Sequence, residues 1–243
     1  MKVFSVFFFL LATVVATSRG SQDSSDSSCL SWRFAVEANN IRGWKTVPKE
    51  CEKYVGHYML GYQYRKDSKA VTDEAWRYVK SLKLPRDGRN IWIFDVDETS
   101  ISHVPFFSKH GFGAEPINKT LAYEWVNKSK APALPESLEL YRKLLSLGIK
   151  VVFLTGRAEE WRKVTATNLK NVGYHTWEQL ILRASSYPTN ATVESYKSNE
   201  KRKLEEIYGY RIIGNIGDQW ADIQGIHRGN RTFKLPNPMY YAP

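Results

Sequence analysis

Asp95 and Asp97 stand one residue apart at the end of an unbroken apolar run, Ile91-Trp92-Ile93-Phe94, and Glu98 and Thr99 follow at once. Two carboxylates this close repel each other unless a cation or a shared proton relieves them. The same residue types also suit a polar turn in which Asp and Thr cap the next helix. Polar groups recur in equivalent positions. Thr155-Gly156-Arg157 follows Val151-Val152-Phe153-Leu154, and Asp218 and Asp222 follow the run from Arg211 to Ile216. Repetition at the ends of three apolar runs is hard to attribute to turns alone. Thr155 and Gly156 offer a hydroxyl and an accessible backbone N–H, the donors that hold an oxyanion such as phosphate. Lys197, read as lying in the loop before a helix, offers a charge to complete that cradle. Its neighbours Lys201, Arg202 and Lys203 read as solvated. Carboxylates converging from two strands suit a hard cation with oxygen ligands, Mg²⁺ before Zn²⁺.

These groups need elements to hold them. Ile91 to Phe94 reads as a strand buried on both faces, as in a parallel sheet. In an open α/β sheet, ligands bind beyond the carboxyl ends of the strands. Further strands are expected at 151–154, 180–182, 211–216 and 232–235. Between them lie an amphipathic helix from Pro135 to Leu147 stopped by Gly148, a helix from Glu160 to Asn171, and one after Lys197 bearing Leu204, Ile207 and Tyr208. This alternation predicts an α/β fold, a Rossmann-like parallel sheet with helices on both sides. Trp32 to Leu82 reads as mostly helical, with a second helix opening at Thr72-Asp73-Glu74. The expected division is a signal peptide at 1–20, a disordered linker at 21–28, a helical segment at 29–88 and a core at 89–243. A small cap at about 100–134 interrupts that core. His103, Phe106, Phe107, His110 and Phe112 cluster there. They fit a substrate entrance or simple cap packing, and a metal-ligand role for His103 lacks a second His at ligand spacing.

Lys2, the apolar run from Phe4 to Ala16, and the small residues around Thr17 and Ser18 form a cleavable secretory signal. Its loss takes the formal net charge from +10 to +8, through Lys2 and Arg19 and no acid. That balance favours anionic partners. Without a compact Lys/Arg block, nucleic acid is not among those expected, and neither is a membrane for the mature form. The chain has two cysteines. In an oxidising compartment, Cys29 and Cys51 are expected to form one disulfide, worth about 3 kcal/mol on the chain-entropy model. Two free thiols are the alternative. Asn118, Asn127, Asn190 and Asn230 each open a glycosylation sequon.

Four ordered stretches carry a resemblance: Phe94-Asp95-Val96-Asp97-Glu98-Thr99, Leu154-Thr155-Gly156-Arg157, Tyr196-Lys197-Ser198, and Gly214-Asn215-Ile216-Gly217-Asp218-Gln219-Trp220-Ala221-Asp222. From about Cys29 onward the chain resembles the haloacid dehalogenase superfamily of phosphohydrolases. Within it, the chain is similar to the plant class B-type acid phosphatases and vegetative storage proteins. The resemblance implies that Asp95 is a nucleophile forming an aspartyl-phosphate and that Asp97 is a general acid and base. It implies Mg²⁺ on the Asp95 carboxylate, the Asp97 carbonyl and Asp218, with Asp222 supporting the metal. Thr155, Gly156 and Lys197 would bind the phosphoryl group. Arg157 would face the substrate or pack structurally, and the His103 segment departs from the family pattern and leaves substrate choice open. Some storage proteins of the group lack the first Asp, and this chain keeps it. Small phosphomonoesters are the implied substrates, in the vacuole or cell wall, with a homodimer left open. A storage protein with incidental catalysis is the alternative role.

Overall fold

The computed structural model describes residues 16–188 and 190–243. Among the described residues, five strands form one parallel sheet in the order β3-β2-β1-β4-β5: β1 (Asn90–Phe94), β2 (Lys150–Ala158), β3 (Gln179–Arg183), β4 (Arg211–Gly217) and β5 (Arg231–Lys234). The order reverses at β1, so a crevice opens beyond the carboxyl ends of β1 and its neighbours. The apolar run of β1 is buried along its whole length. Its alternate residues feed two cores, as a two-residue period requires. Trp92 and Phe94 join a large aromatic core, and Ile91 and Ile93 face a smaller one with Val152, Leu154 and Ile212.

The helices are α1 (Ala16–Glu37), α2 (Glu52–Leu60), α3 (Tyr62–Ser81), α4 (Val104–Phe107), α5 (Lys119–Asn127), α6 (Pro135–Ser146), α7 (Arg162–Asn171), α8 (Val193–Glu206) and α9 (Trp220–Ile223). Leu140, Tyr141 and Leu144 of α6 pack on the large core. Tyr196 and Leu204 of α8 cover the small one. Gly148, with φ of 73°, stands two residues past α6 in the left-handed region where a helix often stops. The cap containing α4 and α5 leaves and rejoins the core at one place. Ile101 bridges Ala133, Ser102 N–H donates to Pro132 C=O at 2.8 Å, and Leu134 N–H donates to Ser100 C=O at 3.0 Å. The Asn168 side chain brackets Ala131, accepting from its N–H at 3.1 Å and donating to its carbonyl at 2.7 Å.

Several local expectations are corrected. Residues 21–28 lie within helix α1 rather than in a disordered linker. The helix is anchored downstream by the buried residues Cys29 and Val36, and extending an existing helix costs far less than starting one. The helix expected to open at Thr72 is α3 and starts at Tyr62. Gly61 breaks the chain with an extended ψ of 174°, and the Thr72 hydroxyl turns back to donate to Lys69 C=O at 3.2 Å inside the helix. Lys197 sits within α8, whose true cap is Thr192; its hydroxyl accepts from Ser195 N–H at 3.1 Å. Ile207 and Tyr208, expected on that helix, lie just past its last residue, Glu206, and are exposed. The disulfide Cys29–Cys51 is present and ties α1 to the turn before α2. The signal run lies almost wholly outside the described residues. Among those described, no helix is long and apolar enough to cross a membrane.

Candidate active site

Asp95 follows β1 directly, and its N–H donates to Ile216 C=O of β4 at 3.0 Å. That bond holds the residue at the edge of the crevice. The chain then turns sharply. Glu98 takes φ of 51°, uncommon for a side-chain-bearing residue and costing about 1 kcal/mol or more. Its carboxylate accepts from His103 N–H and, at 3.0 Å, from the Ser102 hydroxyl. Ser100 Oγ donates to the Asp95 carbonyl at 2.6 Å, and Thr99 Oγ1 donates to Asp218 Oδ1 at 3.0 Å. The turn is thereby tied to both strands that carry the acids.

Carboxylate oxygens of Asp95, Asp218 and Asp222 lie within 4.8 Å of one another, and all three residues are buried. Lys197 is the cation among them. Its Nζ is bonded to Asp95 Oδ1 and, at 2.6 Å, to Asp222 Oδ1. Burial alone would lower the Lys197 ammonium, but Asp222 and Asp95 outweigh it and hold it well above its ordinary value. Burial and the neighbouring Asp222 push the Asp218 carboxyl up to about 6, and the same causes raise Asp95. Charge crowding of this kind, in a set of oxygen donors, fits a divalent cation. Asp222, expected only to support the metal, brings its own carboxylate into the cluster. Gly217 makes room for it: a Cβ there would fall 2.3 Å from that of Asp222.

Further groups hold the acids. Gln219 Nε2 and Asn237 Nδ2 donate to Asp218 Oδ2 at 2.7 and 2.8 Å. Gln219 N–H donates to Asp222 Oδ2 at 2.8 Å, and Asn215 Nδ2 donates to the Asp222 carbonyl at 2.7 Å. Lys201, expected in solvent, is fully buried one turn beyond Lys197 and donates to the carbonyls of Asp222 and Gln224 at 2.8 and 3.2 Å. Burial draws its ammonium down to about 8. The i, i+4 spacing of the two lysines on the face bearing Leu204 is the sequence signal that marks it. Asn237 has no such local signal.

The Asp97 side chain stands outside this cluster but lines the same cavity. Arg157 grips it, Nη2 donating to Oδ1 at 2.6 Å and Nε to Oδ2 at 3.0 Å, while Arg157 Nη1 is held on Thr165 Oγ1 at 2.9 Å. His103 Nε2 lies 2.5 Å from Asp97 Oδ1, and Trp125 Nε1–H donates to His103 Nδ1 at 2.7 Å. An indole N–H can only donate, so Nδ1 must accept, and the imidazole proton sits on Nε2, facing Asp97. Burial would raise the Asp97 carboxyl, but Arg157 and His103 prevail and hold it well below the usual carboxylate range. Arg157 is thus bound to Asp97 and also lines the cavity that holds Asp95.

Thr155 is buried where β2 loses register with β3, after Leu154, and its hydroxyl accepts from Arg157 N–H at 3.2 Å. Gly156 lines, with Asp95, Lys197 and Asp218, a cavity of about 380 Å³ roofed by the cap. Of the aromatic cluster in the cap, Phe106 and Phe107 line this cavity. Phe112 instead packs against Gly56 of α2, and His110 against Phe106. Asn118, Asn127, Asn190 and Asn230 are all exposed.

A switch-point parallel sheet with paired acids after its central strand, a hydroxyl beyond the next and a lysine reaching in from a helix is the architecture of haloacid dehalogenase-type hydrolases. Residues 14–243 match the family described as HAD superfamily, subfamily IIIB (acid phosphatase), and the chain belongs to that family of phosphomonoester hydrolases. It is 45% identical to the stem 28 kDa glycoprotein of Glycine max and 44% identical to acid phosphatase 1 of Solanum lycopersicum, each over 99% of both chains. Vegetative storage protein 2 of Arabidopsis thaliana is 42% identical, over 89% of this chain and 81% of the relative. The class C acid phosphatase of Bacillus anthracis has the same fold, with a TM-score of 0.64 at 19% identity over 79% of this chain and 86% of that one. The family and fold read from the four motifs are thus borne out.

Proposed function

We propose that the protein hydrolyses phosphomonoesters through an aspartyl-phosphate on Asp95. The observation that carries this reading is the Asp95 carboxylate, buried, paired with Lys197 and facing the cavity. An Asp95 oxygen attacks phosphorus, the ester P–O bond breaks, and the leaving alkoxide takes a proton. Water then attacks the phosphorus of the acyl phosphate, gives up a proton and restores Asp95. Asp97 serves as the proton carrier in both steps. Its partners Arg157 and His103 favour the ionised form, which suits activating water. Lys197, Thr155 and the Gly156 N–H steady the phosphoryl oxygens. Asp95, Asp218 and Asp222 would hold Mg²⁺, with the Asp97 carbonyl as a further ligand. Bound there, the ion would neutralise charge on the phosphoryl group.

A secretory route to vacuole or cell wall, with glycans on the exposed sequons, fits the leader and the relatives' names. The relative named as a vegetative storage protein supports a second reading, in which catalysis is incidental. Turnover of a generic phosphomonoester by the purified protein with Mg²⁺ decides between them. The proposal expects rapid turnover that exhaustive chelation abolishes and Mg²⁺ restores. Negligible turnover favours storage, and full activity after chelation contradicts the metal assignment.

A further inference from the structure

A second cavity, of about 480 Å³, lies along the seam between cap and core. Helix α5 of the cap contributes Tyr123 and Asn127, and the core contributes Glu160, Trp161, Lys163 and Thr167 at and just before α7. Ser129 and Val164 complete the lining and join its two sides, the Ser129 hydroxyl donating to Val164 C=O at 3.2 Å. Tyr123 meets Trp161 edge-on at 5.0 Å, and both rings also line the cavity that holds Asp95. This groove therefore backs onto the contact that closes the active site. Asn127 is the acceptor of the sequon Asn127-Lys128-Ser129, and it is exposed. Among the described residues, its side-chain amide has no partner, and neither do the side chains of Lys163 and Thr167. Asn118 is placed differently. Its Oδ1 accepts from Leu121 N–H at 3.2 Å, and its cavity is lined by residues 106–121 of the cap alone.

We infer that a glycan on Asn127 folds back into this groove and ties the cap to the core. In the secretory pathway the Asn127 amide nitrogen displaces the diphosphate of a lipid-linked oligosaccharide and loses a proton, which leaves an N-linked N-acetylglucosamine. That sugar has an apolar C–H face and a rim of hydroxyls with one acetamido group. The groove offers both matching surfaces. The Trp161 ring takes the apolar face, and Glu160, Lys163 and Thr167 bond the rim. The volume of about 480 Å³ lies within the range of small-ligand sites, about enough for the first one or two sugars. Single sugar contacts of this kind are weak, but the covalent link holds the ring at the groove, so its effective concentration there is high. A sugar anchored on α5 and seated on Trp161 and α7 spans the seam. A glycan on Asn118 cannot, because the core lines no part of its cavity.

This inference rests on the proposed secretory route with glycans on the exposed sequons, and the test separates the two. The full chain is secreted from yeast and treated, still folded, with a peptide N-glycosidase. Each released site becomes Asp and is followed over time by mass spectrometry. The Asn127 glycan should leave about tenfold or more slowly from the folded protein than from the denatured one. Trp161→Ala, and separately Thr167→Arg, which crowds the groove, should each speed its release from the folded protein by about fivefold. Both positions are partly or fully exposed, so folding is not at stake. Amide hydrogen exchange supplies a second readout. Asn127→Gln should quicken exchange in α5 by about threefold or more. Thr120→Ala, which removes the sequon at Asn118 and keeps the cap bond of that residue, should leave it unchanged. A bare Asn127 beside other occupied sequons, release that neither groove variant speeds, or unaltered exchange in Asn127→Gln overturns the inference and leaves the secretory reading intact. If no sequon carries sugar, the glycan reading fails and this inference falls with it.

Discussion

His103 is oriented by a group that leaves it no choice of tautomer. Trp125 donates to Nδ1, so Nε2 must carry the proton directed at Asp97. Imidazole ¹⁵N shifts should therefore show the Nε2–H form in the wild-type protein, and Trp125→Phe should release the ring to a mixture of tautomers. An Nδ1–H ring in the wild type contradicts this assignment. Asp95, Asp97, Asp218 and Lys197 were legible in the sequence because each lies in a short pattern whose chemistry is local. The grip of Arg157 on Asp97 was not, because it joins residues 60 apart. Lys201 was misread for a related reason. A run of basic residues resembles a solvated face until the helix phase sets one of them inward, with the carbonyls of Asp222 and Gln224 as its partners.

At the scale of the element, the turn after β1 is the strained part. It places Glu98 in a left-handed conformation with its carboxyl buried. Burial pushes that carboxyl from 4.5 up to about 8. Between these two values the folded protein binds a proton that the unfolded chain releases. Stability therefore falls as pH rises from about 4.5, and the loss is complete above about 8. Glu98→Gln removes this titration. The wild-type Tm should drop by several degrees more than that of the variant between pH 5 and pH 8. Parallel pH profiles for the two proteins contradict it. The strand itself was readable from its apolar run, but the strain was not. Nothing in the type of Glu98 demands a positive φ, and the conformation is imposed by bonds from Ser102 and His103 that close the turn.

Across the whole molecule, the N-terminal segment reaches the site through a few bonds. The disulfide fixes α1, whose Glu37 accepts from Lys234 Nζ and Asn237 N–H, each at 2.8 Å, and Asn237 in turn supports Asp218. Denatured, unreduced protein should show no thiol on labelling. Reduction should cost about 3 kcal/mol and lower Tm by roughly 6–12 °C. Two labelled cysteines, or an unchanged Tm on reduction, contradict this. The cysteine pairing was foreseeable from spacing and compartment. The bridge from Glu37 to Asn237 spans 200 residues and has no local pattern to announce it.

The claim on which the rest depends is that Asp95 becomes phosphorylated and Asp97 is needed to release the phosphate. Asp95→Asn removes the nucleophile, so no phosphoenzyme can form. Asp97→Asn keeps the nucleophile, and an ester with a good leaving group needs little acid help. Its intermediate, however, waits for a base that the amide cannot supply. Rapid-quench measurement on the Asp97→Asn protein should show about one equivalent of leaving group released per site, followed by a stall with phosphate bound covalently. Wild-type turnover in Asp97→Asn, or protein-bound phosphate in Asp95→Asn, would contradict the account.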